Sequence, residues 1–173
     1  MIHVILYQPE KPLNTGNIMR TCMASNTMLH IIGPLTYKID DKGLKRAGMD
    51  YLKEVNFKYY DTYESFVKEN NNPRVFYITR YGEKVHSDIN FQEDENCYIM
   101  FGKESTGIPK KILKDHLEDC YRIPMVEDAR SLNLSNCVAI MVYEALRQKD
   151  YPNLSKYEVI KGKNFLQNYE KED

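Results

Sequence analysis

The sequence predicts an α/β fold with a mainly parallel sheet and helices on both of its faces. Short apolar segments alternate with helix-like segments along the chain, as in repeated β-α-β units. Small polar and glycine residues follow two of the strands, at 102–107 and 131–136, where such folds hold small ligands. The segment 137–146 is apolar on nearly every side, so it must be buried between the sheet and something else, which suggests a partner subunit.

The individual elements follow from apolar runs bounded by turn residues. The predicted strands are 2–7, 28–32, 55–60, 75–79, 97–101 and 120–123. The predicted helices are 15–25, 63–69, 108–116 and 135–148, and the basic amphipathic segment 41–50 is a further candidate. A polar excursion separates 75–79 from 97–101. Residues 1–153 are expected to form one domain, and the charged residues 154–173 a tail or an appended helix.

Composition bounds the class of protein. A chain of 173 residues is long enough for one domain with a real core. The net charge of −1 argues against a polybasic nucleic-acid binder but leaves a local basic face open. The first residues form a strand with no signal-peptide layout before them, and no apolar run approaches membrane-spanning length. Four scattered cysteines are expected to be reduced thiols in a cytoplasmic protein.

The segment from Pro12 to Arg20 is the first candidate ligand site. Asn14 suits an N-cap, and Gly16 would let a phosphate or backbone approach a helix N-terminus. Arg20 lies about one turn beyond Gly16, so it could point back toward the same ligand. The alternative is an ordinary capped helix with a solvated arginine.

The turn from Gly102 to Pro109 is the second candidate. It directly follows an apolar strand and opens a helix, and its two glycines are expected to leave backbone N–H groups free for a ligand. It lacks the ending of a P-loop and the third glycine of a dinucleotide fingerprint. An ordinary strand-to-helix turn is the alternative, although it would not explain Glu104.

The third candidate is the polar loop before the last helix. Ser131, Asn133, Ser135 and Asn136 are four hydrogen-bonding side chains within six residues. One capping residue is enough for a helix, so the surplus favours a ligand loop over an elaborate N-cap.

Together these segments resemble the knotted RNA methyltransferases of the SPOUT class. The resemblance is closest to the tRNA (cytidine(34)-2′-O)-methyltransferase group and runs from residue 2 to about 153. Four motifs carry it in order: L-Y-x-P-E-x-P-x-N-T-G-N-I-x-R-x-C at 6–22, D-D-K-x-L-x-R-A-G-x-D-Y at 40–51, F-G-x-E-x-x-G-x-P at 101–109, and R-I-P-M-V-x-D-x-R-S-x-N-L-S-N at 122–136.

The resemblance implies a deep trefoil knot in the C-terminal part of the chain, a rare exception to the rule against knots. It also implies a homodimer that packs through the knot and the 135–148 helix. S-adenosylmethionine would bind in the knot, largely through backbone groups of three loops. The cofactor-binding residues carried over are Ile78, Thr79, Gly102, Glu104, Ile123, Met125, Ser131 and Leu132.

The implied reaction is 2′-O-methylation of the wobble nucleotide of tRNA. The catalytic residues carried over are Arg20, which serves the ribose 2′-hydroxyl from the opposite subunit, Asn133 and Tyr143. Because arginine keeps its proton in proteins, we expect Arg20 to position the substrate and stabilise oxyanion charge rather than act as the base. The substrate-binding residues carried over are Asn14, Asn17, Lys45 and Arg46.

Other readings stay open at this point. The basic residues between 42 and 58 form either a phosphate track for tRNA or a solvated helix face. The enzyme could act on another tRNA or rRNA site, or the chain could be a cofactor-binding RNA-interaction protein without turnover. A nucleotide-dependent oxidoreductase is disfavoured by the missing third glycine. The four histidines are scattered without ligand partners, so no metal is expected.

Overall fold

The computed structural model describes residues 1–39 and 55–169. The strands are β1 (Ile2–Tyr7), β2 (Met28–Ile32), β3 (Phe57–Tyr60), β4 (Val75–Ile78), β5 (Lys84–Val85), β6 (Cys97–Phe101) and β7 (Cys120–Arg122). The helices are α1 (Pro12–Ala24), α2 (Tyr63–Glu69), α3 (Lys110–Asp115) and α4 (Leu134–Gln148). Short 3₁₀ turns lie at His86–Asp88 and Leu117–Asp119. The predicted helix 41–50 falls outside the described residues.

The seven strands in the described part of the chain form one parallel sheet in the order β3-β2-β1-β6-β4-β7-β5. Every strand pair is parallel, for example β1 with β6 at Leu6 and Phe101, and β4 with β7 at Ile78 and Tyr121. From β1 the chain first forms β2 and β3 on one side of the sheet and then forms β4 to β7 on the other side. The carboxyl ends of β6, β4 and β7 are consequently neighbours beside this change of direction, which is where open α/β sheets bind ligands.

Helices cover both faces of the sheet, as the sequence predicts. On one face α1 and α4 pack against each other and against the central strands, with Ile18, Met19, Met141 and Val142 fully buried. On the other face α2 and α3 cover a second apolar cluster, to which Phe66 contributes. Buried apolar area on both faces is what makes a parallel sheet stable.

Several predicted boundaries are wrong by a few residues. Helix α1 begins three residues earlier than expected, because Pro12 takes its first turn and Lys11 is the N-cap. Asn14 is therefore not the cap but a buried residue inside the helix. Gly16 is likewise buried within α1 rather than exposed at its N-terminus. Strand β5 was not predicted, because its two residues are defined only by pairing with β7.

The apolar side of α4 is buried within the subunit itself. Val138, Met141, Val142 and Ala145 have no exposed surface and pack on α1 and the sheet. Their apolar character therefore does not require a partner subunit, contrary to the interpretation from sequence. The outer side of α4 still carries exposed apolar surface, with Ile140 39% and Tyr143 48% exposed.

The tail is exposed over its described part. Residues 155–169 contain turns and bends, and no helix or strand lies between 155 and 169. Within the described ranges, no helix is long and apolar enough to cross a membrane.

A buried hydrogen-bonded chain joins three strands on the α2 side of the sheet. His3 Nδ1 lies 2.9 Å from His30 Nε2, and His30 Nδ1 lies 3.0 Å from the hydroxyl of Tyr60. Asn70 Nδ2 donates to the same hydroxyl. Burial, aided by His3 and Lys58, lowers the pKa of His30 to about 3. The folded protein therefore holds this imidazole neutral.

Because the folded protein keeps His30 neutral, we expect the protein to lose stability in mild acid. The unfolded chain binds a proton at His30 below its ordinary pKa of 6.5, whereas the folded chain resists it down to about 3. The contribution of neutral His30 to the free energy of unfolding is therefore complete above pH 6.5 and is lost as the pH falls below that value. Between pH 7 and 4.5 the wild type should lose about 2–3 kcal/mol more unfolding free energy than His30→Gln, as measured by urea denaturation. Equal losses in the two proteins would contradict this prediction.

Candidate active site

A cavity of about 390 Å³ opens at the carboxyl ends of β4, β6 and β7. Its volume lies within the ordinary range for small-ligand pockets. Three loops line it, namely 78–81 after β4, 101–108 after β6 and 123–134 after β7, together with Lys11, Asn14 and Cys137. All eight residues predicted to bind the cofactor line this cavity: Ile78, Thr79, Gly102, Glu104, Ile123, Met125, Ser131 and Leu132.

The loop after β6 is a closed hairpin. The backbones of Lys103 and Gly107 exchange two hydrogen bonds, of 3.3 and 3.0 Å. A Cβ on Gly102 would lie 2.0 Å from the carbonyl carbon of Gly107 and 2.1 Å from the nitrogen of Ile108. Gly102 is thus required by close packing. The N–H of Gly107 is used inside the hairpin and is not free for a ligand, contrary to the expectation from sequence.

Glu104 fastens this hairpin to the start of α1. Its carboxylate accepts hydrogen bonds from the backbone N–H groups of Glu10 and Lys11 at 2.8 and 3.1 Å, and from Asn14 Nδ2 at 2.9 Å. In return, the carboxylate of Glu10 accepts from the backbone N–H and the hydroxyl of Ser105. These bonds lower the pKa of Glu10. Glu104 therefore has a structural reason for lying in this turn.

The same network continues to the N-terminus of α4. Asn14 Oδ1 accepts a 3.1 Å hydrogen bond from Asn133 Nδ2, and Asn133 Oδ1 caps α4 by accepting from the backbone N–H of Ser135 at 2.8 Å. Asn14 is only 5% exposed, and both of its side-chain polar atoms are engaged. It therefore positions the loops around the cavity. A direct substrate contact, as predicted for Asn14, would require one of these bonds to be shared or exchanged.

The two functions of Asn133 can be separated by substitution. Asn133→Ala removes the cap and the link to Asn14, and should lower the melting temperature by several degrees, corresponding to about 1–2 kcal/mol. Asn133→Ser keeps a capping oxygen but removes the amide donor to Asn14. It should retain most of the stability while weakening ligand binding in the cavity. Calorimetry and ligand titration would measure both effects, and equal destabilisation by the two variants would contradict the assignment.

The rim of the cavity is basic. The lining includes four cationic residues, Lys11, Arg80, Lys103 and Arg130, and one carboxylate, that of Glu104. The described lining therefore carries an excess of positive charge, although the net charge of the whole chain is −1. Such a rim suits a polyanionic ligand.

Several rim residues were not singled out from the sequence. Arg80 and Tyr81 line the cavity directly after β4, and Arg130 precedes the predicted loop residue Ser131. Each lies next to, or one residue from, a residue that was predicted to bind the cofactor. This proximity was the only indication in the sequence that they line the cavity. Cys137 also lines the cavity, but burial raises the pKa of its thiol, which disfavours the nucleophilic thiolate.

Three predicted catalytic or substrate residues lie outside the cavity of their own subunit. Asn17 and Arg20 are on the exposed side of α1, and Tyr143 is on the exposed side of α4. Leu13, 55% exposed, lies on the same side of α1. Lys45 and Arg46 fall outside the described residues. The structure therefore brings the predicted cofactor residues together but leaves Arg20 and Tyr143 apart from them.

The residues present fit an adenosine-containing cofactor. Ile78, Ile123 and Leu132 give the cavity apolar walls, and the backbone of Gly102 lines it where the loop after β6 begins. Apolar walls with a few fixed polar groups are typical of such sites. Within the described ranges, no group of three His, Cys, Asp or Glu side chains could hold a metal ion.

A parallel sheet with a ligand cavity formed by loops at its carboxyl edge defines an α/β ligand-binding protein. Comparison with known families shows which family it is. Residues 1–143 match the SpoU rRNA Methylase family, and the chain belongs to that family.

Individual relatives of this chain are named for one particular activity. A Geobacillus stearothermophilus protein assigned as a tRNA (cytidine(34)-2′-O)-methyltransferase is 49% identical over 155 residues, covering 89% of this chain and 99% of the relative. The tRNA (cytidine(34)-2′-O)-methyltransferase of Escherichia coli K12 is 46% identical over 154 residues, covering 88% and 96%. A solved structure described by the 2-OH methylation of C/U34 on tRNA superposes with a TM-score of 0.80, at 38% identity, covering 87% of this chain and 97% of that one.

Proposed function

We propose that this protein transfers the methyl group of S-adenosylmethionine to the ribose 2′-oxygen of the wobble nucleotide, position 34, of tRNA. The observation that carries the proposal is the convergence of three loops on one apolar-walled cavity with a basic rim. Relatives 46–49% identical over nearly their whole length carry the name of this activity. A tRNA substrate is consistent with the cytoplasmic location that we propose.

The protein's own contribution would be binding and placement. The eight cavity residues predicted from sequence would hold the cofactor, with Gly102 and the hairpin 103–107 fixing its depth. The cofactor, when bound, supplies an electrophilic methyl group. The chain must bring the ribose oxygen to within about 3–3.5 Å of that group, exclude water and manage one proton.

Recognition of RNA would rest on the rim. Lys11, Arg80, Lys103 and Arg130 line the cavity, and their charges can neutralise phosphates near the target nucleotide. Lys45 and Arg46 remain proposed substrate residues.

Arg20 and Tyr143 favour a homodimer in which each cavity is completed by the other subunit. Both residues lie on exposed sides of helices that pack together, and exposed Leu13 and Ile140 lie on the same two helices. We propose a twofold contact across these two helices and a knot in the C-terminal part of the chain. Such a contact would bring Arg20 to the partner's cavity. There Arg20 would orient the ribose and stabilise developing oxyanion charge, with Asn133 and Tyr143 nearby.

Incubation with radiolabelled S-adenosylmethionine and bulk tRNA, followed by mapping of the modified nucleotide, tests the proposed function. Label in a 2′-O-methylated nucleotide at position 34 is expected. Label at another nucleotide would support a methyltransferase for a different site. Binding of cofactor and RNA without transfer would support a non-catalytic RNA-interaction protein.

A further inference from the structure

Tyr81 is an exposed aromatic side chain at the mouth of the cavity. It lines the cavity and is 59% exposed, so its ring is accessible to a ligand. Two cationic side chains lie beside it: Lys110 Nζ is 4.4 Å from the ring centroid and the guanidinium carbon of Arg80 is 5.9 Å from it. An aromatic ring among cations is the combination that proteins use to hold single-stranded nucleic acid.

The turn that carries Tyr81 is firmly fixed. The N–H of Thr79 donates to the carbonyl of Tyr121 at 2.9 Å, and the N–H of Tyr81 donates to Thr79 Oγ1 at 3.3 Å. A Cβ on Gly82 would lie only 2.5 Å from the carbonyl carbon of Tyr121. The turn therefore lies directly against β7. The backbone position of Tyr81 is thus set before a flat partner binds, and no loop needs to be ordered at that point.

Lys110 links this ring to the second loop of the cavity. Its Nζ donates a 3.3 Å hydrogen bond to the carbonyl oxygen of Thr106, in addition to its contact with Tyr81. Lys110 therefore lies between two loops of the site while remaining exposed. From that position its charge can also reach a phosphate beside a stacked base.

We propose that Tyr81 is a stacking platform for a nucleobase of the RNA substrate adjacent to the methylated nucleotide, and that Arg80 and Lys110 bind the neighbouring phosphates. The proposal rests on the proposed function and adds a residue that selects single-stranded RNA. A target nucleotide whose ribose must enter a cavity cannot stay stacked in its loop. The platform replaces part of the lost stacking and orients the loop.

The test compares Tyr81→Ala, Tyr81→Phe and Tyr81→Trp in the full-length chain. The probes are a synthetic anticodon stem–loop RNA and S-adenosylhomocysteine, each titrated separately, and methyl transfer is measured in parallel. Tyr81→Ala should raise the RNA dissociation constant and KM about 5- to 100-fold, with kcat changed less. Phenylalanine and tryptophan should retain binding, because stacking needs the ring and not the hydroxyl. In Lys110→Gln, the slope of the logarithm of RNA affinity against the logarithm of salt concentration should become shallower by about one.

Tyr157 offers a matched control. It is 61% exposed and also lies near a lysine, with Lys163 Nζ 5.9 Å from its ring, but it does not line the cavity. Tyr157→Ala should bind the RNA as the wild type does. Unchanged RNA binding by Tyr81→Ala would overturn the proposal. If Tyr81→Ala lost as much affinity for S-adenosylhomocysteine as for RNA, Tyr81 would instead be a wall of the cofactor site. Failure of the wild type to methylate any RNA would reject the proposed function itself.

Discussion

Replacing Arg20 by alanine should reduce methyl transfer by about 10²–10³-fold or more while leaving the affinity for S-adenosylmethionine within about twofold of wild type. Arg20 lies on the exposed side of α1 and does not line the cavity of its own subunit. Its loss should therefore remove a transition-state contact supplied to a partner's cavity and not a cofactor contact. Transfer rates at saturating cofactor and calorimetric titration of S-adenosylhomocysteine measure the two quantities.

Controls separate this effect from general damage. Arg20→Lys keeps the charge but not the bidentate geometry, so it should have intermediate activity. Lys68→Ala removes an exposed cation from α2, on the opposite face of the sheet, and should be active. Mixing Arg20→Ala with a variant that cannot bind cofactor should restore activity if the arginine acts across a dimer. Loss of cofactor affinity in Arg20→Ala would contradict the assignment.

Replacing Gly102 by alanine should reduce cofactor affinity at least about tenfold and lower the melting temperature. The new Cβ would lie 2.0 Å from backbone at Gly107, so the hairpin that forms one wall of the cavity must move. Overpacking against backbone typically costs about 1–3 kcal/mol, and the displaced loop would no longer present its groups to the ligand. Calorimetric titration and thermal unfolding check both effects.

Gly107 supplies the control for this prediction. It belongs to the same hairpin, but its Cβ position meets nothing within 4 Å, and its φ of 74° needs only a residue that tolerates the left-handed region. Gly107→Asn should therefore lower the melting temperature less than Gly102→Ala does. Equal losses in the two variants would show that the hairpin is sensitive to any change, and the close-packing argument at Gly102 would fail.

The sheet and the cavity loops could be predicted because they depend on local patterns. Apolar runs ended by turn residues marked β1, β4, β6 and β7, and parallel strands bring the loops at their carboxyl ends together. The role of Asn14 could not be predicted in this way. Its partner Glu104 is 90 residues away, and Pro12 moved the helix start.

Exposed residues were harder to assign for a different reason. Tyr81 and Arg80 owe their place at the rim to the packing of Gly82 against β7, which no local pattern reveals. Burial of Val138 and Met141 could be foreseen, but a periodic pattern does not tell whether α1 or another subunit covers them. Arg20 lies outside its own cavity, so the catalytic role proposed for it requires the proposed second subunit.

The most direct measurement of the central claim uses a synthetic anticodon stem–loop RNA whose nucleotide 34 carries either ribose or 2′-deoxyribose. Both RNAs present the same base and nearly the same phosphates, so they should bind alike. The account predicts methyl transfer to the ribose form, at the 2′-oxygen of nucleotide 34, and none to the deoxy form. Equal labelling of the two RNAs would contradict it.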